Sequence, residues 1–115
     1  MVNQLSLTFA ALTDPTRRAM LQRLCDHPLT VGELSSPLAI SKPAVSKHLR
    51  TLERAGLIRR EVRGRTHIIA LVGKPLGEAA DWLEHYRQFW DQRLDALQEF
   101  LESDDTADSP GERRR

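Results

Sequence analysis

Residues 30–57 read TVGELSSPLAISKPAVSKHLRTLERAGL, and residues 58–71 continue IRREVRGRTHIIAL. Thr30 and Glu33 have the spacing of a capping box, in which a hydroxyl and a carboxylate each satisfy a free N–H group at the start of a helix. Ser35, Ser36 and Pro37 end that helix early, and Leu38 to Ile40 form the turn. Ser41 caps a second helix whose first turn tolerates Pro43, and Gly56 stands where a left-handed C-terminal cap belongs. Val45, Leu49 and Leu52 recur at helical spacing and predict the buried face. Ser41, Lys42, Pro43, Ser46, Lys47 and Arg50 then fall on the outer side, with His48 at the edge beside Leu49. Beyond Gly56, the β-formers Ile58, Val62, Ile68, Ile69 and Leu71 surround Arg63-Gly64-Arg65, the pattern of a hairpin. Two helices joined by a tight turn and followed by a basic hairpin predict a winged helix-turn-helix, mainly α with a small β-hairpin.

Charge supports that order. From Ser41 to His67 there are eight Lys or Arg against two acids, a local balance of +6 in a chain whose net charge is +1. Residues 1–40 sum to zero, and residues 76–109 carry ten acids against Arg87 and Arg93. A concentrated cationic zone is suited to neutralising phosphates, whereas the acidic zone repels them and is expected to face solvent or another subunit. Lys and Arg donate to guanine O6 and N7, and Ser donates or accepts at bases or phosphates. The outer face of the second helix is therefore a candidate reader of double-stranded DNA. Arg63 and Arg65 at the hairpin tip are placed for a minor groove or its flanking phosphates. His48 is expected at a backbone phosphate or packed at the helix edge.

The flanks complete the domain. Leu5, Leu7, Phe9 and Leu12 suggest a short first helix. Asp14-Pro15 starts the next, with Ala19, Met20, Leu21 and Leu24 buried and Arg17, Arg18 and Arg23 outside. From Leu76 to about Leu101 runs the longest helical pattern, with two apolar seams. One seam is Leu83, Trp90, Leu94, Leu97 and Leu101, and the other is Trp82, Tyr86, Phe89 and Phe100. A helix apolar over two seams in a chain of 115 residues is expected to bury one against its own domain and the other against a second copy. The aromatic residues are read chiefly as dimer core, the competing use being the wall of a pocket for a small organic effector. Residues 1–102 are expected to form one domain and residues 103–115, nearly devoid of apolar side chains, a disordered tail.

Several function classes are disfavoured. Four scattered histidines, no Gly-rich phosphate loop and no nucleophile beside a base argue against an enzyme, and no cofactor is implied. The single Cys25 is read as a small buried hydrophobe, and Cys25 with His27 is a poor metal pair. Asp81 and His85 share a helix face and are read as an exposed ion pair rather than as metal ligands. No apolar run reaches membrane-spanning length and no secretory leader is recognised, so a cytoplasmic protein is expected.

Taken in order, Asp14-Pro15-Thr16-Arg17-Arg18, Thr30-Val31-Gly32-Glu33-Leu34, Ser41 to Leu49 and Ala55-Gly56-Leu57-Ile58 make the chain resemble the ArsR family of bacterial winged-helix repressors over roughly residues 5–100. The resemblance implies a homodimer joined through the first and last helices, binding a two-fold symmetric operator and repressing transcription. Leu5, Phe9, Leu83, Tyr86, Trp90, Leu94, Leu97 and Leu101 would form that interface. Metal-sensing members carry Cys-x-Cys in the first helix of the helix-turn-helix, or Asp-x-His with His and Glu on the last helix. Here Val31 to Leu38 holds no Cys or His, and Leu83, Arg93 and Leu97 stand two residues beyond Asp81, Asp91 and Asp95. The chain is thus similar to the branch without metal sites, whose last helix carries a W-x-x-x-Y-x-x-x-W pattern, here Trp82, Tyr86 and Trp90. The competing reading is a winged-helix protein-interaction module without operator specificity.

Overall fold

The computed structural model describes residues 3–107. The chain divides into two compact units after Ala80. The first contains α1 (Gln4–Ala11), α2 (Pro15–Leu24), β1 (Leu29–Thr30), α3 (Val31–Ser35), α4 (Lys42–Arg54), β2 (Ile58–Arg63) and β3 (Thr66–Leu71), and the division falls within α5 (Gly73–Ala107). Each helix of the first unit begins at a side chain suited to the task. Asn3 accepts from the Ser6 N–H at 2.8 Å, Asp14 from Arg17 at 3.0 Å and Ser41 from Ala44 at 3.3 Å. The capping box is complete, with Glu33 N–H donating to Thr30 Oγ1 at 3.1 Å and Thr30 N–H to Glu33 Oε1 at 2.9 Å.

Gly56 takes φ +75° after α4 and Gly64 takes φ +63° at the hairpin tip, backbone conformations that a Cβ makes costly. They let the chain leave α4 abruptly and turn between β2 and β3 within two residues. The core gathers Met20, Leu34, Leu49, Leu52, Leu57 and Ile69, all fully buried, so α2, α3, α4 and the sheet close on one apolar centre. Thr8 is buried too, its hydroxyl donating to the Gln4 carbonyl at 3.0 Å and accepting from Gln4 Nε2 at 3.1 Å.

Four expectations change. The sheet has three strands in the order β1-β3-β2 rather than two, because Leu29 and Thr30 pair antiparallel with Ile69 and Ile68. Cys25 is exposed, as it follows the last helical residue of α2 instead of joining the buried stripe. Arg17 turns inward to the end of α1, its Nε donating to the Ala11 carbonyl at 2.8 Å. The last helix begins at Gly73 and continues to Ala107, a rise of roughly 50 Å at about 1.5 Å per residue. Residues 103–107 of the expected tail are therefore helical, and 108–115 lie outside the described residues. Among the described residues no helix is long and apolar enough to cross a membrane.

Candidate nucleic-acid interface

Helix α4 presents two chemically distinct sides. Val45, Leu49 and Leu52 are buried, while Ser41, Lys42, Pro43, Ser46, Lys47 and Arg50 are exposed. The apolar residues fix the rotation of the helix about its axis, and that rotation aims the polar set outward. No ion pair engages Lys42, Lys47 or Arg50 among the described residues, so their charge is available to a ligand.

The wing is built differently. Arg60 on β2 donates to both carboxylate oxygens of Glu53, at 3.2 and 3.0 Å, and lies 3.1 Å from His67 Nδ1. A guanidinium only donates, so His67 Nδ1 is the acceptor. This half-buried fork fastens the hairpin to the last turn of α4 and takes Arg60 out of the phosphate-binding set. At the tip, Arg63 Nε donates to Glu61 at 3.0 Å but both side chains stay exposed, while Arg65 is exposed and without an ion pair among the described residues. An exposed pair of that kind contributes little and exchanges readily for a phosphate.

A groove of about 340 Å³ runs between α3 and α4, lined by Val31, Gly32, Ser35, Lys42, Val45 and Ser46. A cleft of about 550 Å³ follows, lined by Thr30, Val31, Gly32, Arg60, Arg65, Thr66 and His67. They share Val31 and Gly32 and so adjoin at the start of α3, a track of two parts with Lys42 lining one and Arg65 the other. Thr30, Gly32 and Thr66 in that track escape sequence reading, because it is the pairing of β1 with β3 that brings Thr30 next to the hairpin. His48, expected at a backbone phosphate or packed at the helix edge, is packed at the edge. Its side chain is 17% exposed, with Nδ1 at 3.4 Å from Arg17 Nη1 and 3.9 Å from Asp14 Oδ2. The hydrogen bond from the Arg17 N–H, chiefly, with the nearby Arg17 guanidinium charge, holds the Asp14 carboxyl below its ordinary value of 3.8.

The second unit, taken by itself, is an amphipathic helix. Trp82, Leu83, Tyr86, Phe89, Trp90, Leu94, Leu97, Phe100 and Leu101 are between 44% and 66% exposed, and together they make up both apolar seams. The aromatic rings touch along the helix, Trp82 stacking on Tyr86 with centroids 5.7 Å apart and Phe89 meeting Trp90 edge-on at 5.9 Å. Leu5 and Phe9 of α1 are half-buried. The acids stand on the opposite side, where Arg87 joins Glu84 at 2.8 Å and Asp91 at 2.7 Å. The expected pair between Asp81 and His85 is absent among the described residues. Nor do these residues contain a group of three His, Cys, Asp or Glu able to hold a metal ion.

Comparison with known proteins agrees with this architecture. The profile of bacterial regulatory proteins of the arsR family matches residues 14–60. The chain is 41% identical over 98 residues to the HTH-type transcriptional regulator Rv2034 of Mycobacterium tuberculosis, covering 84% of this chain and 89% of that protein. It is 32% identical over 78 residues to the transcriptional repressor SdpR of Bacillus subtilis, covering 68% and 87% respectively. The crystal structure of the ArsR family transcriptional regulator RHA00566 superposes with a TM-score of 0.73 at 39% identity, covering 77% of this chain and 98% of that one.

Proposed function

The chain belongs to the arsR family of bacterial regulatory proteins and is a DNA-binding transcriptional regulator rather than an enzyme, and from that premise we propose that it acts in the cytoplasm as a homodimeric repressor of a symmetric operator. Ser41, Lys42, Pro43, Ser46, Lys47 and Arg50 enter the major groove, and Arg63 and Arg65 reach the flanking minor groove or its phosphates. The observation that carries this reading is the distribution of unpaired cations. Lys42, Lys47 and Arg50, exposed on one face of α4, and Arg65, exposed at the hairpin tip, have no acidic partner among the described residues, whereas Arg60 and Arg87 are tied to carboxylates.

The open face of α5 supports pairing of two copies. Nine half-exposed large side chains amount to roughly 700–1,100 Å² per copy, taking about 150–250 Å² for each when wholly free. That exceeds the largest patch of a typical monomer, about 300–600 Å², and matches the roughly 800 Å² each partner contributes to a standard interface. Each copy then offers one α4, and the two read half-sites related by the dimer's own symmetry.

The test is a salt titration of binding to DNA from upstream of the gene, with scrambled competitor. Four unpaired cations in each of two copies predict a slope of log K against log salt near −7, at about −0.9 per phosphate. A slope equivalent to one or two phosphates, or one protein chain per operator, would falsify the proposal.

A further inference from the structure

We propose that α1 is latched alongside α4 at both ends, and that Gln4, Arg17 and His48 are positioning residues that set the pitch of the reading helix without touching DNA. One latch joins the start of α1 to the end of α4, where Gln4 Nε2 donates to the Ala55 carbonyl at 2.7 Å. The other joins the end of α1 to the middle of α4. Arg17 Nε donates to the Ala11 carbonyl at 2.8 Å, Nη2 to the Ala10 carbonyl at 3.3 Å, and Nη1 faces His48 Nδ1 at 3.4 Å. Arg17 is itself held at the head of α2, where its N–H caps on Asp14 at 3.0 Å.

Directional bonds are needed here because apolar packing alone does not fix pitch. Val45, Leu49 and Leu52 determine which side of α4 faces the core, yet a buried apolar face still permits rocking along the helix axis. Two hydrogen-bonded points seven residues apart, about 10 Å along the helix, remove that freedom. The lever is long. Lys42 lies thirteen residues from Ala55, about 20 Å, so a tilt of about 10° about the Gln4 latch carries Lys42 roughly 3.5 Å, one base step. His48 is suited to the second latch, as its ring is 17% exposed and its Nδ1 must accept from the donor-only guanidinium.

This inference rests on α4 being the reading helix, which the Lys47→Ala and Arg50→Ala variants test separately: unchanged binding there removes that premise without addressing the latch. The experiment is a double-mutant cycle in full-length protein, measuring affinity for the operator and for scrambled DNA, with the salt slope of each. His48→Ala and Arg17→Gln should each lower the preference for operator by about tenfold, and the double variant by no more than about tenfold, because both break one interaction. Scrambled-DNA affinity, salt slope and oligomeric state should stay at wild-type values. His48→Gln, whose carbonyl can accept from Arg17, should recover most of the loss, while His48→Phe, which fills the space without an acceptor, should not. Phe and Gln differ in this way even if the alanine variant unfolds. Multiplicative losses, a reduced salt slope in His48→Ala with Arg17→Gln at wild-type level, or full preference in all variants would each overturn the proposal.

Discussion

Replacing Leu97 with Asp should convert the proposed dimer to monomers. Leu97 is 52% exposed in the single chain, so pairing can remove about half of a leucine from water. Full burial of such a side chain stabilises by about 1.5–3 kcal/mol, hence roughly 0.8–1.5 kcal/mol per copy. Each substitution in a two-fold interface acts twice, giving about 1.5–3 kcal/mol for lost apolar contact. A carboxylate left without a partner among Leu94, Phe100 and Leu101 adds at least about 1–3 kcal/mol per copy. The sum, about 4–9 kcal/mol, raises the dissociation constant by about three to six orders of magnitude. A wild-type constant of about 1 nM would become about 1 μM or more, so sedimentation velocity with fluorescence detection at about 0.1 μM should show mainly single-chain mass for the variant and dimer for the wild type. Far-UV circular dichroism should keep the helical signal of a folded chain, because Leu97 lies outside the core that folds the first unit. A Leu97→Asp protein that sediments as the wild-type dimer would show that the aromatic and leucine face is not where copies meet.

Lys47→Ala or Arg50→Ala should weaken operator binding by about 1–3 kcal/mol if a bidentate base contact is lost, read by fluorescence anisotropy, and equal affinity in both would mean the reading face is misassigned. Arg93 lies inside the apolar face with its guanidinium 4.6 Å from the Phe89 ring centroid, and its neighbours three and four residues away are Phe89, Trp90, Ala96 and Leu97, none of them acidic. Arg93→Leu should therefore tighten self-association by about tenfold in the dissociation constant, and unchanged or weaker pairing counts against burial of that face. Asp14 and Glu33 are both held below their ordinary values of 3.8 and 4.5, each chiefly by a backbone N–H that it caps. Groups whose folded value is depressed stabilise the fold above the unfolded value and lose that contribution as pH falls through the folded one. The melting temperature should thus drop between about pH 5 and about pH 3, and less so in Asp14→Asn, whereas identical drops would show that the cap carries no linkage.

What sequence could read was what residues decide within a turn of the chain. Asp14 with Pro15, Thr30 with Glu33, and Ser41 mark helix starts through bonds to a neighbour three residues away, and Gly56 and Gly64 mark the places where φ must be positive. The same locality gave the outer face of α4, since helical spacing alone separates Val45, Leu49 and Leu52 from Lys42, Ser46, Lys47 and Arg50. Two of the misses involve distant partners. Strand β1 is two residues long and exists because Ile68 and Ile69 pair with it. Arg17, written outside by its place on α2, is drawn in by the Ala10 and Ala11 carbonyls and by His48, thirty-one residues away. Cys25 was misplaced for a local reason, since one residue of helix end decided between the core and solvent.

The eight cations between Ser41 and His67 are therefore not interchangeable, and a count of +6 understates how they are organised. The two acids of that stretch are each spoken for, Glu53 by Arg60 at 3.0 Å and Glu61 by Arg63 at 3.0 Å. Arg60 with Glu53 spans β2 and α4, so this pair holds the wing at a fixed distance from the reading helix. Neutralisation is the lesser consequence. Lys42, Lys47, Arg50, Arg54, Arg59 and Arg65 remain without an acidic partner among the described residues, and they carry the whole of the local excess. Had Glu53 or Glu61 stood on the outer face of α4, the same composition would have cancelled the field where a phosphate must approach. Glu53 is placed instead where it fixes geometry, and the acids of α5 stand away from the apolar face that a second copy would cover. Chain order alone supplies the composition, and the sorting of paired from unpaired cations leaves Lys42, Lys47 and Arg50 open on the outer face of α4, where the proposed operator would approach.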